Sequence, residues 1–236
     1  MTKSIINWDN LFSQKEFFMN SKPFKFAFTQ NIFDNDFYEK LYQTYPKLDN
    51  SWTDGSNFSK SQLIKYWGGA KKDEDTPAGS DLTYGKEWNE FKLYAESEEF
   101  LSNIRKFSGT TVNKLKGFTF VAYRKGGFQL PHIHNVGPNT LILMFYFSKG
   151  WEQGDPGGTY MASEDDESKI IFEPYDLDNS MALFQDSPKS AHGVRQITKD
   201  VERKAIQIYL QEFSEEKGWS GIDPKSKEFV SELPEI

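Results

Sequence analysis

The chain has 236 residues, a formal net charge of −7 and no cysteine. This length is enough to bury a sizeable core in one large domain or two small ones. The acidic balance argues against a surface that follows phosphates, so nucleic acid is not an expected partner. Without cysteine, disulfides, thiolate ligands and a cysteine nucleophile are excluded. Any transition metal must therefore be bound by imidazole and carboxylate groups, which suit iron, zinc or manganese.

The sequence also predicts no targeting or membrane segment. The start, MTKSIINWDN, lacks the apolar run of a signal peptide. No stretch of about 18 apolar residues, the length needed to span a bilayer, occurs elsewhere. The expectation is a cytoplasmic protein without a membrane partner, and nothing in the sequence indicates the oligomeric state.

The N-terminal region predicts a strand and then helices. In KPFKFAFTQNIF three phenylalanines alternate on one face, as in a strand. The next stretch, DNDFYEKLYQTYP, has Asp36 and Glu39 at capping-box spacing, and Pro46 should end this helix. Apolar residues at helical spacing from about residue 88 to 107 predict one further helix, which Gly109 ends.

Between these helices, residues 49–85 are rich in Gly, Ser, Asp and Lys but also contain large aromatic side chains. We interpret this stretch as a long, partly irregular insertion. Loops of this length are often functional. The insertion is therefore a candidate lid over a substrate, and an oligomer contact is the alternative.

From about residue 117 the sequence changes to short β-branched or aromatic runs separated by turn residues. The runs are GFTFVAY, TLILMFYF, GGTYMA, KIIFEP, SMALFQD and KAIQIYL. TLILMFYF is apolar on both faces and should be a central, covered strand. The pattern predicts a mainly β, α+β fold: a double-stranded β-helix (jelly roll) supported by N-terminal helices. We expect a single domain over 1–236, with helices and the insertion in 1–110, the jelly roll in 111–213 and a surface tail in 214–236.

The chain has three histidines, and two of them are one residue apart in PHIHN. Side chains at i and i+2 of a strand project to the same face, so His132 and His134 can both reach one metal ion while Ile133 points away. Surface histidines or a hydrogen-bonded core histidine are the alternative. The metal interpretation is favoured because His192 opens another strand-like run and Arg203 follows it by 203 − 192 = 11 residues.

Four segments in order, AYRKGGFQLPHIHN, DPGGTYMA, SMALFQDSPKSAHGV and ERKAIQIYL, resemble the Fe(II)- and 2-oxoglutarate-dependent dioxygenases, particularly their prolyl-hydroxylase-like branch. That family has H-x-D, a Gly-Gly segment, a distal His and an Arg or Lys about ten residues later. The resemblance covers roughly residues 22–213. It implies that His132, His134 and His192 bind Fe(II), that 2-oxoglutarate and O2 are used, and that a small molecule or peptidyl residue is hydroxylated.

His134 is where the sequence departs from the family, which normally has an acid there. Three neutral imidazoles leave more charge on a divalent ion, which favours a dianionic cosubstrate but should shift the redox potential. His134 also fills the position that halogenases leave open for halide, so halogenation is disfavoured. Asp186, six residues before His192, is an alternative source of a carboxylate ligand.

The resemblance also assigns a site for the cosubstrate. The strand alternation in ERKAIQIYL places four side chains on the interior face: Arg203, Ala205, Gln207 and Tyr209. Arg203-x-Ala205 matches the family pattern in which the guanidinium binds the distal carboxylate of 2-oxoglutarate in a bidentate pair. Lys204 is the fallback for this role. Tyr123 resembles the tyrosine that often supports the same carboxylate, and an ordinary core aromatic is the alternative.

The remaining candidates are weaker. Asn135, Gln207 and Lys204 are candidates for contacts to the substrate or to the metal ligands. Gly157 and Gly158 are expected to have structural roles. Other functions also stay open: a cupin-like three-histidine enzyme without 2-oxoglutarate, a non-catalytic jelly-roll binding protein, or a zinc hydrolase. The cupin glutamate after H-x-H is absent, and no general base is evident for a hydrolase.

Overall fold

The computed structural model describes residues 4–72 and 74–221, so most of the predicted surface tail, residues 222–236, lies outside the described residues. In this part of the chain the α-helices are α1 (Trp8–Phe12), α2 (Lys15–Asn20), α3 (Asn35–Gln43), α4 (Lys86–Glu96) and α5 (Glu98–Ser108). None of the helices described is long and apolar enough to cross a membrane.

Two main antiparallel sheets and a two-stranded sheet form the rest of the described fold. The strands are β1 (Phe26–Gln30), β2 (Thr53–Asp54), β3 (Lys60–Ser61), β4 (Leu63–Tyr66), β5 (Lys114–Tyr123), β6 (Phe128–His132), β7 (Thr140–Tyr146), β8 (Thr159–Ala162), β9 (Ile170–Phe172), β10 (Ser180–Gln185), β11 (His192–Val194), β12 (Arg203–Gln211), β13 (Phe213–Ser214) and β14 (Gly218–Trp219). β13 and β14 form the two-stranded sheet. The large sheet has the order β1-β10-β7-β12-β5-β4-β2, and the small sheet has the order β3-β6-β11-β8-β9. This is the predicted double-sheet jelly roll.

The outer face of the large sheet packs against the helices. Ile206, Ile208 and Leu210 of β12 join the main hydrophobic core with Phe91 of α4 and Phe107 of α5. β7 is buried along its whole length between β10 and β12, as predicted for TLILMFYF. The helices therefore hold the large sheet on one side, and its other face is left for the interior of the jelly roll.

Two details of the helix predictions were wrong. The single helix predicted over residues 88–107 is broken at Ser97, whose extended backbone ends α4 and whose side chain accepts a hydrogen bond from the Phe100 amide at the start of α5. The N-cap of α3 is Asp34, which accepts from Phe37 N, and not the predicted Asp36. Gly109 does end α5, in a left-handed conformation with φ +72° that favours glycine.

The insertion at residues 49–85 is more regular than predicted. It contains β2, β3 and β4, and it extends both sheets: β4 pairs with β5, and β3 pairs with β6. The fully buried Lys92 of α4 fixes the end of the insertion, because its Nζ donates to the Pro77 carbonyl at 3.2 Å. The insertion therefore forms a paired wall at one edge of the jelly roll.

Candidate metal centre and cavity

The three histidines come together at one end of two neighbouring inner strands of the small sheet. His132 ends β6, His192 begins β11, and the two are register partners across the sheet. His134 lies beyond the end of β6, so only part of the predicted extended pair is strand. One ring nitrogen from each of the three lies within 4.8 Å of the others. Folding therefore brings together all three predicted ligands.

Backbone carbonyls orient two of the rings. His132 Nδ1 lies 3.2 Å from the Leu130 oxygen, and His192 Nδ1 lies 2.7 Å from the Ser190 oxygen. A carbonyl oxygen only accepts, so Nδ1 carries the proton in each neutral ring and Nε2 keeps its lone pair. Hydrogen bonds of this kind fix the tautomer and the orientation of a metal-binding histidine.

The surroundings keep all three imidazoles neutral. Burial, with the neighbouring His134 as the next cause, lowers the pKa of His132 to about 3. Burial and the charge of Lys60 lower the pKa of His134 to about 4. Burial also holds the pKa of His192 well below its ordinary value. Neutral imidazole is the form that binds a metal ion.

Asp186 is not placed as a ligand, so the alternative of a carboxylate from this residue is not supported. Its buried carboxylate accepts hydrogen bonds from the amides of Val136 and Gly137 and from Ser190 Oγ at 3.1 Å. Burial raises the pKa of this carboxyl. Asp186 thus links the segment that follows His134 to the segment that precedes His192.

A cavity of about 560 Å³ lies between the two sheets, and the three histidines line it. Gln207 and Tyr209 of β12 also line it, as the alternation predicted. Ala205 and Asn135 are not among the residues that line the cavity. Ala205 is buried beside Met144 and Tyr146, and Asn135 has a left-handed backbone conformation with φ +51°. Lys204 lies on the other face of β12, where its ammonium pairs with Glu202 at 3.0 Å, so its fallback role is not supported.

Arg203 is fully buried directly behind the cavity wall. Its Nε donates to the Gly157 carbonyl at 3.0 Å, and its Nη2 donates to Thr159 Oγ1 at 3.1 Å. The guanidinium carbon lies 5.0 Å from the ring centre of Tyr123 and 4.9 Å from that of Tyr146. Arg203 does not itself line the cavity, but Thr159 and Tyr123 do.

The positive charge of this guanidinium has no anionic partner, and one of its donor groups has no acceptor, among the residues described. Nη1 of Arg203 has no hydrogen-bond partner, and no carboxylate of the residues described forms an ion pair with it. A buried cation without an anionic partner is costly. This charge and this donor group lie beside Tyr123 and Thr159, which line what we call the inner end of the cavity.

The sequence of the jelly roll agrees with a known family. Residues 118–211 match the model of the 2OG-Fe(II) oxygenase superfamily. The matched stretch runs from β5 to β12 of the jelly roll. This match and the three-histidine group identify a 2-oxoglutarate-dependent dioxygenase that uses Fe(II) and O2. No curated protein sequence matches it.

Solved structures confirm the jelly-roll fold of this oxygenase. A prolyl-4-hydroxylase from Pseudomonas putida matches with a TM-score of 0.64 at 11% identity, covering 86% of this chain and 100% of that one. A Trichoplax adhaerens prolyl hydroxylase, in complex with a hypoxia inducible factor peptide, matches at 0.56 and 14% identity, covering 86% and 88%. HygX from Streptomyces hygroscopicus, with nickel, 2-oxoglutarate and hygromycin B bound, matches at 0.55 and 10% identity, covering 84% and 86%. At such identities the similarity establishes the fold alone.

Two glutamines of the oxygenase cavity were missed by the sequence analysis. The Tyr123 hydroxyl lies 2.7 Å from Gln62 Oε1 and 3.1 Å from Gln129 Oε1, and Gln129 Nε2 lies 3.3 Å from His132 Nε2. Burial raises the pKa of Tyr123 to about 12, so this hydroxyl keeps its proton. These contacts join the Arg203 end of the cavity to the histidines. Gln62 directly precedes LIKY, a short run with apolar and aromatic residues, and the loop-like composition of the insertion concealed this strand signal.

Proposed function

We propose that His132, His134 and His192 bind the Fe(II) of this oxygenase and that Arg203 binds the distal carboxylate of 2-oxoglutarate. The observation that supports the proposal most is the unpaired, buried guanidinium behind the same cavity that the three imidazoles line. Metal binding by three histidines and cosubstrate binding by an arginine require all four residues to lie in or directly behind the wall of one cavity, and these four do.

The donor set fits Fe(II). Imidazole suits iron, and three ligands on one face leave the remaining positions open for the cosubstrate and O2. When bound, the iron supplies the oxidation in which 2-oxoglutarate and O2 become succinate and CO2 while one oxygen atom enters the substrate. His132 and His192 are already held in the tautomer that presents Nε2.

The protein residues at the inner end fit a carboxylate. A carboxylate beside Arg203 would neutralise its charge and accept from Nη1, and Thr159 and Tyr123 offer hydroxyl groups next to it. Burial makes this charge-assisted contact stronger than it would be in water. Arg203 thereby orients the cosubstrate with its 2-oxo acid end toward the histidines.

We propose hydroxylation of a small molecule or of a single residue of a peptide. The cavity of about 560 Å³ must hold the cosubstrate and the reacting part of the substrate together. That volume lies within the range of about 300–1,000 Å³ that is usual for small-molecule sites. A large folded partner cannot enter it beyond one side chain.

Anaerobic titration with Fe(II) and 2-oxoglutarate tests the assignment. Chelation of the iron by the 2-oxo acid should produce a weak visible charge-transfer band, and R203Q should require at least ten-fold more 2-oxoglutarate to reach it. K204Q is the matched control, because it removes the neighbouring positive charge from the opposite face of β12. Metal binding without a band would contradict the assignment and favour a three-histidine enzyme that does not use this cosubstrate.

A further inference from the structure

The cavity extends well beyond the part that the cosubstrate would occupy. Tyr123 of β5 pairs with Arg203 of β12 at the inner end. Gly117, six residues before Tyr123 on β5, pairs with Tyr209 of β12 at what we call the outer end. At about 3.3 Å per residue the separation is about 20 Å. Gly117 and Tyr209 still line the cavity. A five-carbon diacid bound at Arg203 cannot reach this outer end.

The insertion and β5 meet at the outer end. Thr76 N donates to the Lys116 carbonyl at 2.9 Å, and Phe118 N donates to Thr76 Oγ1 at 2.8 Å. These bonds hold residues 74–76 beside residues 116–118. Lys72 and Lys116 both line the cavity, so lysines of the insertion and of the sheet border its outer end together.

The lining of the cavity carries the opposite charge to the chain as a whole. Apart from the neutral histidines, its charged residues are Lys60, Lys72, Lys116 and Glu74. Three lysines against one glutamate give a positive cavity in a chain of net charge −7. Cavity walls of low dielectric focus such a potential and attract a ligand of opposite sign.

The two outer lysines are available for such a ligand. Neither Lys72 nor Lys116 forms an ion pair with a carboxylate of the described residues. The Lys116 ammonium contacts the neutral Gln211 Oε1 at 3.3 Å, a bond that an anion can replace. Glu74 uses one carboxylate oxygen to accept from the Lys71 amide at 2.8 Å.

We propose that the substrate of this oxygenase carries an anionic group, a carboxylate or a phosphate, that Lys72 and Lys116 bind at the outer end of the cavity. The inference rests on the proposed function, which places the reacting carbon at the histidines. Between the two ends the wall includes the apolar side chains of Ile64, Val121 and Met144. The substrate is therefore an amphipathic acid whose apolar portion is oxidised.

A titration with inorganic phosphate and with acetate tests the anion site without knowledge of the substrate. The protein is loaded with Zn(II) and 2-oxoglutarate, so that the inner end is occupied, and the amide signals of Gly117 and Thr119 are followed by NMR. We expect saturable shifts, with at least ten-fold weaker binding in K72Q/K116Q. The more tightly bound probe identifies the anion as a phosphate or a carboxylate.

K65Q is the matched control. Lys65 lies on β4 beside two lining residues but is not itself part of the lining, and its ammonium donates to Ser51 Oγ. K65Q should bind the probes as the wild type does. The proposal is overturned if neither probe gives a saturable shift, or if K72Q/K116Q binds as tightly as K65Q.

The cosubstrate offers a competing explanation for the lysines. If they attract 2-oxoglutarate instead, K72Q/K116Q will weaken its binding in the charge-transfer titration, which would overturn the proposal. We expect that binding to stay within two-fold of the wild type. The two assignments also fail separately. Loss of the charge-transfer band removes the proposed function, whereas weaker phosphate and acetate binding in metal-free K72Q/K116Q than in metal-free K65Q still reports on the lysines.

Discussion

The Nε2 atoms of His132 and His134 lie 3.1 Å apart. His132 Nδ1 is committed to the Leu130 carbonyl, so its Nε2 is an acceptor that faces another ring nitrogen. Two such nitrogens at hydrogen-bond distance need a proton or a cation between them. Without a metal ion, the two rings must share one proton across this distance. With a metal ion, both Nε2 atoms can bind the same ion.

Loss of one imidazole should therefore remove stoichiometric metal binding. For H192A we expect the Kd for Co(II) to rise by at least about 100-fold, equivalent to about 2.7 kcal/mol. The visible absorption of Co(II) in an anaerobic titration measures this directly. An H192A protein that binds Co(II) as tightly as the wild type would disprove the three-histidine centre.

The third imidazole should also determine how strongly the dianionic cosubstrate binds. An acid at position 134 lowers the net charge of the metal centre. We expect H134D to bind Fe(II) at least as tightly as the wild type but 2-oxoglutarate about ten-fold more weakly, a loss of about 1.4 kcal/mol. Anaerobic charge-transfer titration measures both constants. H134N is the control, because it keeps position 134 neutral; equal 2-oxoglutarate affinity in H134D and the wild type would contradict the charge argument.

Asp186 should act on the metal through the segments it holds. D186N removes the anionic acceptor shared by the Val136 and Gly137 amides and by Ser190. Residues that position metal ligands typically change affinity by about 10- to 100-fold, and we expect the Kd for Co(II) to rise in this range. D178N is the matched control, since Asp178 accepts from the Tyr38 hydroxyl at 2.6 Å and touches no histidine. Equal Co(II) affinities in the two variants would mean that Asp186 has no positioning role.

The metal-free protein should lose stability as the pH falls below about 6.5, the ordinary pKa of histidine. In the folded state the pKa of His132 is lowered to about 3 and that of His134 to about 4. The unfolded chain binds more protons in this window, so the stabilising contribution is complete above the unfolded pKa and is lost as the pH falls toward the folded values. Urea unfolding between pH 7 and pH 4.5 measures the slope. H132Q/H134Q should have a shallower slope, and an unchanged slope would contradict the prediction.

The sequence was sufficient to predict the main strands of the jelly roll and the histidine cluster. A period of two assigns each residue of β12 to a face, and the apolar face and the cavity face lie where ERKAIQIYL predicts. The break at Ser97 was missed because apolar spacing continues across it. Two acidic residues after Ser97 are the first-turn signal that could have revealed a new helix.

Contacts between segments far apart in the sequence could not be predicted. Gln62 and Lys72 line the cavity because the insertion pairs with β5 and β6, and no local pattern specifies those partners. Asp186 shows the same limit, because its role depends on amides fifty residues away in the chain. Local spacing therefore located the residues proposed for chemistry but not those that enclose and position them.

Lys92 should be essential for the wall that the insertion forms. Its fully buried ammonium donates to the Pro77 carbonyl at 3.2 Å and pairs with Glu96 at 2.5 Å. K92M leaves the Pro77 carbonyl without this donor and Glu96 with only the Gly79 amide, which should cost about 1–3 kcal/mol. Urea unfolding measures the loss, and amide hydrogen exchange should rise at residues 76–79. The exposed Lys86 of the same helix provides the control K86M. If K92M were no less stable than K86M and residues 76–79 stayed protected, Lys92 would have no role in holding the insertion.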